Sequence, residues 1–320
     1  MVGDVTGPAA EGLRVGWKQV PEPVQTAIEG VCGARVVQAW TQPGGFSPGL
    51  AARVRCENGA RFFVKAVSAD ANPDSPGLHR QESQILAALE PLITGRHLPI
   101  PRLYGVVEWP PWIALVLEDV AGRQPTLPWQ AGELQQVVAV LDQLADALTP
   151  APLEVPTVGE RLGREFTGWK TLATTAGRDR LDLWSRRHLD QLAEVETHWA
   201  QHAAGDTLLH ADIRADNLLI ASQGPVVVDW PWACRGAAFV DLVLFAPSVT
   251  MQGGPPPADL IASSRSCRAM GREALTALVC AAAGYVTEHS LQPPPPGLPT
   301  VRAFQAAQAT IARRWLAELI

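Results

Sequence analysis

The chain has 320 residues, a formal net charge of −6 and a hydrophobic fraction of 47%. That length is long for one compact core and suits two lobes, and the acidic balance argues against a broad basic surface for nucleic acid. Five scattered cysteines (Cys32, Cys56, Cys234, Cys267 and Cys280), with no Cys-x-x-Cys pair, speak for reduced thiols rather than a disulfide framework or a zinc site.

No basic-plus-apolar leader is read at the start, and the longest small-apolar run (274–286) is too short to span a bilayer, so a cytoplasmic protein with no membrane partner is expected. Residues 1 to about 15 are rich in Gly and Ala without periodicity and read as a loose lead-in. A short helix is predicted from Pro21 to Gly30, then strands over 34–40, 50–56 and 61–67. Asn58-Gly59 is a hairpin signal between the last two. The link 41–49 between the first two carries Gly44, Gly45 and Ser47. Glycines there let backbone N–H groups approach a phosphate, and Ser47 adds a hydroxyl, although a Gly-Gly pair taken alone is more often only a turn. It is no Walker loop, because Gly-x-x-x-x-Gly-Lys-Ser/Thr is absent from the chain.

Lys65 lies inside the apolar run Phe62-Phe63-Val64-Lys65-Ala66-Val67, where a cation needs a partner or a ligand. Glu82 is the natural partner, on a helix whose Leu78, Ile85, Leu86 and Leu89 share one face. Strands over 103–108 and 112–118 complete a five-stranded sheet, which ends in Glu118-Asp119-Val120-Ala121-Gly122. The periodicity then turns helical over 131–148, 158–173 and 179–204, and again over 261–288 and 300–319. Between these helices, two apolar runs around 208–209 and 218–220 flank a polar loop and suggest a small hairpin. A third run, Val226-Val227-Val228, ends on Asp229.

That loop carries the chemistry. Asp212 is an ionised acceptor able to orient and deprotonate a hydroxyl. Asn217 and Asp229 offer an amide oxygen and a hard anionic oxygen suited to Mg²⁺ beside substrate phosphates. Taken singly, each reads as a turn cap or a strand end; the ordered set matches a kinase-type phosphoryl-transfer site.

His210-x-Asp212-x-x-x-x-Asn217, followed by Asp229 after a short apolar strand, resembles the aminoglycoside phosphotransferase and choline kinase-like superfamily. Ala211 stands where many relatives have Gly, and Trp230-Pro231 replaces the Phe-Gly of protein kinases, which points to the small-molecule branch. The resemblance implies an α+β, protein kinase-like two-lobe fold: a nucleotide-binding lobe over 1–119, with an antiparallel five-stranded sheet plus helix, and a mainly helical lobe over 120–320 carrying the catalytic hairpin. It implies Asp212 as base, Asn217 and Asp229 as Mg²⁺ ligands, and His210 as a structural anchor of the loop. Lys65, paired with Glu82, would hold the ATP phosphates, and the backbone at Glu118 and Val120 would meet the adenine. Arg214 stands where many protein kinases put a lysine near the γ-phosphate, and Asp241 is read as an acid beside helical N–H groups.

The expectation is an ATP-dependent kinase for a small-molecule hydroxyl, monomeric or homodimeric, with an aminoglycoside-type antibiotic as first acceptor. Choline, amino sugars, macrolides and homoserine-type alcohols remain open. Glu160, Glu165, Asp179, Asp182, Glu194 and Glu196 could line an acceptor cleft for a polycation, or Trp169, Trp184, Trp199, Trp232 and Trp315 an aromatic wall. A catalytically silent nucleotide-binding regulator is the contrasting class; the intact Lys65, Asp212, Asn217 and Asp229 count against it.

Overall fold

The computed structural model describes residues 7–9, 12–45 and 49–320. Helix α1 (Glu22–Cys32) starts behind Pro21 and ends at Gly33, whose φ of 72° is the left-handed cap. It therefore runs past Gly30, where the sequence pattern placed its end. Strands β1 (Val36–Thr41), β2 (Leu50–Cys56) and β3 (Arg61–Ser68) follow, then α2 (Ser75–Arg96), β4 (Leu103–Trp109) and β5 (Trp112–Glu118). The strands form one antiparallel sheet in the order β1-β2-β3-β5-β4.

The period-2 alternation of β3 and β5 gives this sheet two apolar faces. Val64, Ala66, Ala114 and Val116 pack with Val24 and Ile28 of α1. Val67, Ile113, Leu115 and Leu117 pack with Ile85, Leu86 and Leu89 of α2. Lys65 alternates with Val64 and Ala66, so it shares the α2 face. The second core continues through Leu98 and Ile100 to Leu218 and Val227, and Val227 N–H donates to the Pro99 carbonyl at 2.9 Å.

The rest is mainly helical. It comprises β6 (Gly122–Arg123), α3 (Ala131–Ala147), α4 (Val158–Leu162), α5 (Gly168–Thr174), α6 (Leu183–Glu196) and α7 (Trp199–His202). Next come β7 (Thr207–Leu209), β8 (Leu218–Ala221), β9 (Gly224–Val227) and β10 (Cys234–Gly236). α8 (Val240–Met251), α9 (Pro257–Ala262), α10 (Arg272–Ser290) and α11 (Val301–Leu319) close the chain.

Three stretches read as single helices are each broken, and three carboxylates, Glu196 and Asp142 buried and Asp182 exposed, help to explain where. Glu196 accepts the backbone N–H groups of Trp169 and Lys170 at 3.0 and 3.1 Å, so 158–173 restarts at α5. Gly168 is needed there, because a Cβ would lie 2.1 Å from the Gly284 carbonyl oxygen. Asp182 caps α6 through the Ser185 N–H at 2.9 Å, dividing 179–204. Asp142 of α3 accepts from Ser264 Oγ (2.6 Å) and from the N–H groups of Arg265 and Ser266 (2.9 and 3.0 Å), holding a loop open between α9 and α10.

The polar loop is not the turn of a hairpin between its flanking runs. β7 pairs with β10, whereas β8 pairs with β9 and β6. Each run finds its partner beyond the loop, so the loop is clamped from two sheets. All five cysteines are buried free thiols. Among the described residues no helix is long and apolar enough to cross a membrane.

Candidate active site

The loop between β7 and β8 is built by hydrogen bonds to its own backbone. His210 Nδ1 accepts the Asp212 N–H (3.2 Å), so its Nε2 donates to the Val228 carbonyl (3.0 Å) and ties the loop to the strand that delivers Asp229. Burial lowers the His210 pKa to about 4 despite that bond, which keeps the ring neutral. Asp241, in the first turn of α8, accepts the His210 and Ala211 N–H groups at 2.8 and 2.7 Å. Its carboxylate thus sits at the helix start, as the sequence reading has it, and also fixes the loop, which that reading did not foresee. Between these anchors Ala211 adopts φ 63° and Asp229 φ 72°, left-handed conformations that are costly for residues with a Cβ.

The two bends bring the predicted residues together. The Asn217 amide donates to the Asp212 carbonyl at 2.8 Å and to its carboxylate at 3.3 Å, leaving the amide oxygen for another partner. Arg214 reaches the Asp212 carboxylate at 2.5 Å and holds Asp216 through two 3.0 Å bonds. Burial together with the nearby carboxylates Asp216 and Asp229 pushes Asp212 up to about 6, against the pull of Arg214.

From the other lobe, Lys65 Nζ lies 2.8 Å from both Glu82 oxygens and 2.6 Å from Asp229 Oδ1. Glu82 is 2% exposed and also accepts the Trp230 N–H. Burial opposes the charge on Asp229, but the Lys65 ammonium prevails and holds its carboxyl at about 2.

The Gly44–Gly45 link has φ of 88° and 79° and lies over this cluster: a Cβ on Gly45 would be 3.9 Å from Asp216 Oδ2. Ser47 lies outside the described residues. At the end of β5, the Val120 N–H donates to the Glu118 carbonyl at 3.1 Å, and Arg53 donates to the Val120 and Gly122 carbonyls, both at 2.9 Å. The two backbone groups expected to meet an adenine therefore face each other.

The structure removes several members of the broader acceptor lists. Trp169, Trp199 and Trp315 are buried in the core, while Trp184 and Trp232 are only partly buried. Glu160, Asp182 and Glu196 are spent on helix starts. Glu165 differs: it pairs with His289 at 3.0 Å, and the His289 ring stacks at 4.3 Å on Tyr285, whose hydroxyl feels Asp212 and Arg214. Sequence reasoning missed Tyr285, Asp216 and Arg14. The spacing Asp212-x-Arg214-x-Asp216 was the available signal for Asp216; Tyr285 sits in an apolar helix with no signal of its own.

A family model described as the phosphotransferase enzyme family (APH) matches residues 45–278, most of the chain. The chain belongs to that family. As a family member it shares its fold with solved kinases at low identity. The choline kinase LicA from Streptococcus pneumoniae superposes with a TM-score of 0.60 at 13% identity, covering 93% of this chain and 98% of that one. An aminoglycoside phosphotransferase from Alicyclobacillus acidocaldarius gives 0.59 at 16%, covering 94% and 95%. A putative fructosamine-3-kinase from Haemophilus somnus gives 0.57 at 13%, covering 92% and 96%. The search of curated proteins found no match. The protein kinase-like fold expected from the motif is the fold of this phosphotransferase.

Proposed function

We propose that this phosphotransferase moves the γ-phosphate of MgATP to a hydroxyl of a small molecule, with an aminoglycoside-type antibiotic as the first acceptor to test. The observation that carries the reading is the convergence of Lys65, Asp229, Asn217 and Asp212 on one cleft between the sheet and the β7–β8 loop. A structure of LicA has AMP bound, which supports a nucleotide as donor here. We further take the nucleotide lobe to be 1–119 and the acceptor lobe 120–320.

In this reading Lys65, steadied by Glu82, neutralises the nucleotide phosphates while Gly44 and Gly45 cover them. The Asn217 amide oxygen and the Asp229 carboxylate suit Mg²⁺, which shares few protein ligands with substrate phosphates and would offset charge on the transferred group when bound. Asp212, held by Arg214 and Asn217, positions the acceptor hydroxyl and takes its proton. Arg214 is tied to Asp212 and Asp216, so it acts on the base at least as directly as on the phosphoryl group. The acceptor enters beside Tyr285, His289 and Glu165 of the second lobe; one carboxylate–aromatic cluster suits an amine-bearing alcohol.

The test is ATP consumption against aminoglycosides, aminocyclitols, macrolides and amino alcohols, followed by Asp212→Asn with the best acceptor. Loss of a general base costs ~10²- to 10⁴-fold in turnover with MgATP binding retained. An unchanged rate removes Asp212 from this role. Asp229→Ala is expected to abolish the Mg²⁺ dependence of nucleotide binding seen by calorimetry.

A further inference from the structure

Residues before α1 look structureless in sequence, yet residues 12–16 form a strap between the lobes. The Leu13 N–H donates to the Gly297 carbonyl at 2.9 Å, in the loop before α11. The Gly49 N–H donates to the Leu13 carbonyl and the Val15 N–H to the Gly49 carbonyl, both at 3.1 Å, so the strap runs parallel to the chain entering β2. Only glycine fits at position 49: its φ is 105°, and a Cβ would lie 2.4 Å from the Ala66 carbonyl oxygen, one residue from Lys65.

This pairing sends the Arg14 side chain under the glycine link. Its guanidinium donates to the Gly44 carbonyl. A Cβ on Gly45 would be 3.0 Å from Arg14 Nη2 and 3.9 Å from Asp216 Oδ2, so cation and carboxylate approach the same point beneath the link. Asp229 and Asp216 both attract the Arg14 charge. Each of those carboxylates already holds a cation, Asp229 through Lys65 and Asp216 through Arg214. Arg14 therefore brings a further positive charge to the Asp216 and Asp229 end of the site, beneath the glycine link. The ion-paired groups of this site are Glu82, Asp212, Asp216 and Asp229 against Lys65 and Arg214, so without Arg14 an anionic nucleotide would enter a clearly negative site.

We propose that Arg14 is a phosphate-binding residue, delivered across the lobes by the 12–16 strap, that engages the terminal phosphate of the bound nucleoside triphosphate. This rests on the nucleotide-binding reading above. A guanidinium on the γ-phosphate makes charge-assisted bonds that a diphosphate cannot accept at that position.

Calorimetry with MgATP and MgADP on the full chain tests it, using Arg14→Ala, Arg14→Gln and Arg14→Lys. The glutamine variant removes the charge while keeping a polar side chain, and leaves untouched the backbone bonds of Leu13, Val15 and Gly49 that form the strap. For both neutral variants MgATP affinity should fall about 10- to 100-fold and MgADP affinity less than about 3-fold, with partial recovery in the lysine variant. Equal losses for the two nucleotides would make Arg14 a structural fastener and overturn the proposal. Unchanged or tighter MgATP binding would overturn it as well, the latter marking Arg14 as an occupant that nucleotide displaces. If the parent chain binds neither nucleotide, the nucleotide reading itself fails and this inference with it.

Discussion

Asp241→Asn separates what holds the catalytic loop in shape from what stabilises the protein. The carboxylate accepts two backbone N–H groups, from His210 and Ala211. Burial nevertheless pushes its carboxyl up to about 6, because the two bonds do not offset the loss of water. A rise of that size from the ordinary aspartate range means that the ionised form costs about 3 kcal/mol of stability at neutral pH. Asparagine avoids this cost but turns an amide N–H toward one of the two backbone donors, costing about 1–3 kcal/mol. The net stability change at pH 7 should therefore stay within about 2 kcal/mol of zero, while the displaced loop lowers kcat by roughly 10²-fold. The sign with pH is definite. A raised folded-state pKa means that the parent loses stability as pH climbs from about 4 through about 6, and the variant lacks that loss. Urea titrations at pH 4.5 and 7.5, with turnover measured at pH 7.5, check both halves. Parallel stability curves for parent and variant, or full activity in the variant, would refute the reasoning.

Three further outcomes follow from the same geometry. Ala211→Gly removes a Cβ from a φ of 63° and should raise stability by about 0.5–1 kcal/mol after the entropy of glycine is counted, read as a higher Tm with turnover retained. Asp142→Ala strands the Ser264, Arg265 and Ser266 donors and should cost about 2–3 kcal/mol at pH 7. Those bonds hold the Asp142 carboxyl below its usual range against its burial, so its stabilising contribution is present above the ordinary aspartate pKa and fades as pH falls below it. The gap between parent and variant in urea should then narrow in acid. Lys65→Met leaves Glu82 buried beside Asp229 without its cation and should destabilise by about 3 kcal/mol at pH 8. The deficit should shrink toward pH 5 as Glu82 takes up a proton; a deficit independent of pH would contradict the charge argument.

Much of the site was legible because its signals are local. His210, Asp212 and Asn217 lie within eight residues, and Asp229 follows one short apolar strand, so spacing alone groups them. Lys65 announced itself as a cation in an apolar strand, and the Lys65–Glu82 pair is present at 2.8 Å. The five-stranded sheet followed from alternation and from the Asn58-Gly59 turn. What failed was the continuity of helices and the pairing of short strands. A period of 3.6 reports which face is apolar but not that Glu196 and Asp142 reach across to claim backbone donors elsewhere.

By itself, then, the sequence determined the kind of chemistry and the order of its parts, since both are carried by residues close together in the chain. Only the tertiary structure decided that Asp241 anchors the β7–β8 loop, that Tyr285, in contact with His289, feels the charge of Asp212, and that Arg14 lies under the glycine link. Asp241 and Tyr285 lie about thirty and seventy residues from the β7–β8 loop, and Arg14 lies 30 residues from Gly44. Contacts over such separations are set by how helices and sheet pack, a property of the whole core that no local pattern encodes.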